Sequence, residues 1–152
     1  AVMAPPAPVP HTTSPPRPYL GEVGTGSRAK LAVNLTLGLN RAAIAEGLVF
    51  ATRLGLDPVA FLDVVRESAA ASHVVGVNGP LMARPEYANV QSRVDQSLKD
   101  FRLMIEQARA KGQELPFASV YARMMEDCIA HGEAQWDNAG ILEAIARRFA
   151  PR

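Results

Sequence analysis

Apolar residues recur at helical spacing along most of this chain, and no segment alternates with period two over more than a few residues. The longest such stretch runs from Gly26 to Leu54 without a proline. It predicts one helix of about 40 Å, at 1.5 Å per residue. Leu31, Val33, Leu35, Leu37, Leu39, Ile44, Leu48 and Phe50, with alanines between them, leave little of its circumference polar. A helix that is apolar nearly all round is a buried one, so this helix is expected at the centre of the molecule. Gly55-Leu56-Asp57-Pro58 then reads as a stop followed by a start: Gly55 suits the position after a helix end, Asp57 an N-cap and Pro58 the first helical residue.

A second helix follows from Val59 to about Ala69, with Phe61, Leu62, Val64 and Val65 spaced for one buried face. Ser72 to Ala83 reads as a short helix or a turn-rich segment, ended by Gly79-Pro80 or by Arg84-Pro85, and residues 84–92 read as a loop. A strong helix is predicted from about Val94 to Lys111, with Leu98, Phe101, Leu103, Ile105 and Ala108 on its apolar side and Gly112 as its stop. Leu115-Pro116 opens the next, which runs to Gly132, and the last extends from about Ala139 to Phe149. The expected class is all-α, with about six helices packed around the first.

Residues 1–20 break this pattern. Residues 1–18 hold seven of the twelve prolines and almost no bulky apolar side chains. Such composition reads as an extended arm or linker, or as a disordered end, ahead of a helical domain at 21–152. At 152 residues the chain is expected to be one domain with a proper core. A formal charge of +1 without a basic run gives no footprint for nucleic acid. Asn34, Asn40, Arg41 and Glu46 interrupt the longest apolar stretch, so no membrane span is expected. Cys128 is alone and lies on the apolar side of its helix, which points to a buried, inert thiol and a reducing, cytoplasmic setting.

Candidate chemistry is sparse. Gly21-x-x-Gly24-x-Gly26 has its glycines in the wrong order for a dinucleotide fingerprint, and no strand precedes them. They read as a tight turn feeding a helix N-terminus. Lys30 and Asn34 lie four residues apart and so share one face near that terminus. A lysine in apolar surroundings has its charged form disfavoured, which suits acid–base work. The competing reading is a lysine whose ammonium reaches out to water. Asn34 could equally be a core amide bonded to backbone, and Lys99-Asp100 a solvated charge pair. His11, His73 and His131 lack metal-ligand spacing, so no zinc or iron site is expected.

The ordered set Gly21-Glu22-Val23-Gly24-Thr25-Gly26-Ser27-Arg28-Ala29-Lys30-Leu31-Ala32-Val33-Asn34, then Ala45-Glu46-Gly47, Gly55-Leu56-Asp57, Ser72, Leu98-Lys99-Asp100, Pro116, Gly132 and Asp137 resembles the β-hydroxyacid dehydrogenase family. That family includes 3-hydroxyisobutyrate dehydrogenase and tartronate semialdehyde reductase, with 6-phosphogluconate dehydrogenase more distant. The resemblance covers residues 21 to about 147 and the family's C-terminal helical domain. It implies that Lys30 is the general acid/base acting on the substrate oxygen during hydride transfer. It implies further that Asn34 orients the substrate and that Lys99 and Asp100 lie at the cleft mouth, where they meet the cofactor, NAD or NADP. The family's N-terminal Rossmann half, with its dinucleotide fingerprint and a substrate-binding serine-glycine loop, is not contained in these residues. The chain alone is therefore expected to be inactive, and to pair with copies of itself as a dimer or tetramer. Many members carry an aromatic residue where this chain has Ser92, which alters the substrate pocket. The alternative reading is a non-catalytic helical dimerisation module that retains the family sequence.

Overall fold

The structure, a computed structural model, describes residues 24–148. The proline-rich arm at 1–20, Gly21 and the expected helix end at Phe149 lie outside the described residues. Six α-helices follow in order: α1 (Thr25–Arg53), α2 (Pro58–Arg66), α3 (His73–Ala83), α4 (Val94–Arg109), α5 (Pro116–Ala130) and α6 (Ile141–Ala146). A 3₁₀ turn at Asn138–Gly140 leads into α6. Among the described residues there is no strand, only an isolated bridge between Arg93 and Asp137. None of the helices is long and apolar enough to cross a membrane.

The helix ends follow the chemistry written at them. Asp57 accepts a hydrogen bond from the Ala60 N–H at 2.8 Å, and Pro58 opens α2. Ser72 caps α3 by accepting from the Val75 N–H at 3.2 Å. The segment with two possible endings is thus one helix that carries Pro80 inside it. At the end of α1, Gly55 adopts φ 84°, a region that disfavours any side chain. There the Gly55 N–H bonds the Thr52 carbonyl and the Leu56 N–H bonds the Ala51 carbonyl, closing a Schellman motif. Gly112 and Gly132 close α4 and α5 in the same way.

The core lies where α4, α5 and α6 meet one side of α1, around Leu48, Val94, Leu98, Phe101, Tyr121, Met125, Ile141 and Ile145. α2 and α3 pack on each other and complete the cover of that side with Leu62, Val75 and Met82. The expectation of a buried first helix fails here. In α1 only Gly38, Ala45, Leu48 and Ala51 are buried, while Val33 is 57 % and Phe50 64 % exposed. The physical reason is area: the other helices cover one side of a rod about 43 Å long, and its outward apolar face finds nothing to pack on among the described residues. The last helix is also shorter than expected, because Asn138–Gly140 tightens into a 3₁₀ turn held by Asp137.

Candidate active site

A cleft of about 220 Å³ opens between α1 and α4. Asn34, Leu37, Gly38 and Arg41 line it from α1, and Ser97, Asp100, Phe101 and Met104 from α4. Ser92 and Asn138 close it from the loop before α4 and from the 3₁₀ turn. Gly38 is buried against the Phe101 side chain of α4. A Cβ built on it would overlap the ring edge of Phe101, so only glycine lets that ring lie against α1.

The loop wall is fixed by Asp137, which is only 1 % exposed. Its Oδ2 accepts from the Gln91 N–H at 2.9 Å and the Ser92 N–H at 3.3 Å, and its Oδ1 accepts from the Ala139 N–H at 2.9 Å. One carboxylate therefore ties the loop to the 3₁₀ turn, and the Asn138 N–H adds a 2.8 Å bond to the Ser92 carbonyl. The side chains follow: Asn138 Nδ2 donates to Ser97 Oγ at 3.2 Å, and Ser92 Oγ lies 3.4 Å from Ser97 Oγ. Ser92 thus presents a hydroxyl to the cleft.

Of the residues singled out from the sequence, Asn34 and Asp100 face each other across this cleft. Lys30 lies one turn before Asn34 on α1 and is exposed, and Lys99 is exposed beside Asp100 on α4. The apolar surroundings expected for Lys30 are not supplied by the described residues. Gly24, at φ 94°, forms the turn that begins α1, as the glycine-rich stretch predicted.

Arg41 is the residue that sequence reasoning passed over. It is half-buried, and its Nε donates to Asn78 Oδ1 at 3.3 Å and its Nη1 to Tyr121 Oη at 3.4 Å. Helical spacing was a usable signal, since Arg41 stands seven residues after Asn34 and returns to the same face. Tyr121 is buried against Phe101, with ring centroids 4.8 Å apart in an edge-to-face arrangement. Burial pushes its hydroxyl above the ordinary tyrosine range, while the Arg41 charge opposes that shift. The hydroxyl therefore stays protonated and serves as a neutral acceptor for the guanidinium.

A family model described as the NAD-binding domain of NADP-dependent 3-hydroxyisobutyrate dehydrogenase matches residues 24–145. The chain belongs to this family. Among relatives, the chloroplastic glyoxylate/succinic semialdehyde reductase 2 of Arabidopsis thaliana is 32% identical over 127 residues, 84% of this chain and 35% of the relative. The 2-hydroxy-3-oxopropionate reductase of Escherichia coli is 28% identical over 126 residues, 83% of this chain and 43% of the relative. A 3-hydroxyisobutyrate dehydrogenase from Salmonella typhimurium superposes with a TM-score of 0.75 at 28% identity, covering 79% of this chain and 42% of that one. The chain thus spans less than half the length of each of these relatives, and the helical architecture is that of the matching part of the family. Its characterised relatives are oxidoreductases, and the family is one of NAD(P)-using dehydrogenases.

Proposed function

We propose that this chain is the substrate-binding and catalytic part of an NAD(P)-dependent 3-hydroxyacid dehydrogenase, which oxidises a small 3-hydroxy acid to its semialdehyde or runs the reverse reduction. The observation that carries this reading is the shared face of α1. In a chain of this family, Lys30 stands one helical turn before Asn34, and Asn34 lines a polar cleft of about 220 Å³. That volume suits a small acid and not a dinucleotide. No strand, glycine loop and helix in succession occurs among the described residues to hold a pyrophosphate. Lys99 and Asp100, exposed on α4 beside the cleft, are the residues here that would meet the edge of a bound nicotinamide nucleotide. The cofactor supplies hydride acceptance and return.

The work left to this chain is to orient the substrate and to move a proton. Asn34 holds the substrate oxygen through its amide. The Lys30 Nζ, as a free amine, takes the hydroxyl proton when the hydride leaves, and as an ammonium returns it to the carbonyl oxygen in the reverse direction. Water around Lys30 is displaced by the bound substrate and by the cofactor-binding part of the enzyme.

In the intact enzyme Lys30→Ala is expected to remove most of kcat, since positioned acid–base catalysis contributes roughly 10²–10⁴-fold. Lys30→Arg is not expected to restore it, because arginine keeps the charge but does not release its proton. Asn34→Ala should lose less, partly in KM. Retention of more than about a tenth of kcat in Lys30→Arg, less than the smallest loss expected for such a role, would reduce Lys30 to an anion-binding residue.

A further inference from the structure

The guanidinium of Arg41 lines the cleft and forms no ion pair among the described residues. Other arginines of the described residues find carboxylates at short range: Arg147 reaches Glu133 at 2.6 Å and Asp127 at 3.0 Å, Arg93 reaches Asp95 at 2.9 Å, and Arg102 reaches Glu126 at 2.8 Å. Charge-assisted bonds of this kind run shorter than neutral ones. Arg41 instead makes two long bonds, at 3.3 and 3.4 Å, to the neutral oxygens of Asn78 and Tyr121. Asn78 comes from α3 and Tyr121 from α5, both buried, so the side chain is gripped from two directions. This grip uses Nε and Nη1 and leaves Nη2 uncommitted among the described residues. A held guanidinium with spare donors, at a polar wall, is the arrangement that recognises a planar anion.

We propose that Arg41 anchors a carboxylate of the substrate at the inner end of the cleft, with the Ser92 and Ser97 hydroxyls beside it, while the reacting hydroxyl lies toward Asn34 and Lys30. This rests on the dehydrogenase reading and deepens it: the site takes an anionic hydroxy acid and rejects its neutral amide or ester. The seven residues from Asn34 to Arg41 span about 10 Å along the helix, and both line the same cleft. Asp100 also reaches the cleft. It is exposed at the rim, where solvent screens its repulsion of an anion. A purely structural Arg41 would need the same two bonds but would not respond to ligand charge.

The test follows the Arg41 Nε–Hε resonance of the ¹⁵N-labelled 152-residue chain during titration with malonate at constant ionic strength, with malonamide as the neutral control. A saturable shift is expected with malonate in the millimolar range, the affinity of roughly 4 kcal/mol that one anchored carboxylate can supply. Malonamide should give none. Absence of a malonate shift, or an equal shift with malonamide or added chloride, overturns the proposal without recourse to any variant. In the intact enzyme, Arg41→Lys keeps a charge but loses the fork. It should raise KM for the hydroxy acid about ten- to hundredfold, as expected for loss of a charged hydrogen bond, with kcat changed less. An unchanged KM overturns the anchor and leaves the Lys30 assignment standing. Malonate binding retained in a protein whose Lys30 variants keep full activity would remove the acid–base reading and leave the anchor.

Discussion

Gly38 shows how narrow the tolerance of the cleft is at a single residue. Its missing side chain lets the Phe101 ring lie against α1, with Tyr121 Cε1 at 3.2 Å from where a Cβ would stand. Alanine is the better helix former by about 1 kcal/mol. Overpacking a filled site costs about 1–3 kcal/mol, so Gly38→Ala is expected to lower stability and to disturb the Tyr121 hydroxyl that Arg41 grips. An unchanged or raised midpoint in thermal denaturation would show that the ring moves aside freely. Cys128 makes a second prediction at this scale. Burial, then the neighbouring Glu133, pushes its thiol up to about 12, and its Sγ donates to the Gly140 carbonyl at 3.7 Å. A raised value means that thiolate is scarce at neutral and mildly alkaline pH, and thiolate is the reactive form. Iodoacetamide should label the native protein slowly up to pH 9 and label it quickly in denaturant; rapid native labelling would contradict this. The thiol's burial was legible from its place on the apolar side of a helix. For Arg41 only the face it shares with Asn34 was legible; its grip was not, because α3 and α5 bring Asn78 and Tyr121 to it only in the fold.

At the scale of elements, local signals carried far. The stop at Gly55 with the start at Asp57-Pro58, the Ser72 cap and the glycine ends of α4 and α5 all sit where their backbone chemistry demands. The loop before α4 and the entry to α6 were harder to read, since their order comes from one side chain far away in sequence. Asp137 accepts backbone N–H groups from residues 45 and 46 positions earlier as well as from Ala139, and no periodicity announces such a tie. Replacing it with alanine leaves these donors, one buried and two part-buried, without their acceptor. Each unsatisfied donor costs about 1–3 kcal/mol, so Asp137→Ala is expected to be among the most damaging single changes in the chain. Asp137→Asn should lose less, since its one amide oxygen still accepts. If the alanine variant melted within a few degrees of the native protein, the loop would be held by other means.

For the molecule as a whole, the failed expectation about α1 is informative. The helix is apolar nearly all round, as a buried helix is, yet one side of it is bare among the described residues. The pattern reads as burial within the domain, and the described residues do not supply it. The bare surface continues onto α5. An apolar groove of about 520 Å³ runs between the two helices, lined by Leu39, Ala42, Val120 and Met124, with Phe117 76 % exposed at its edge. Contiguous apolar surface of this kind marks an interface. We therefore expect the 152-residue chain to form a dimer or higher oligomer at micromolar concentration, measured by light scattering. Phe117→Asp with Val120→Glu should shift it toward monomer without lowering the thermal midpoint beyond what the lost association explains, because both residues point away from the core. A wild-type monomer at micromolar concentration would overturn self-association. An oligomer that survives both substitutions would move the interface to the other exposed end of α1, where Phe50 and Leu54 stand beside Leu56.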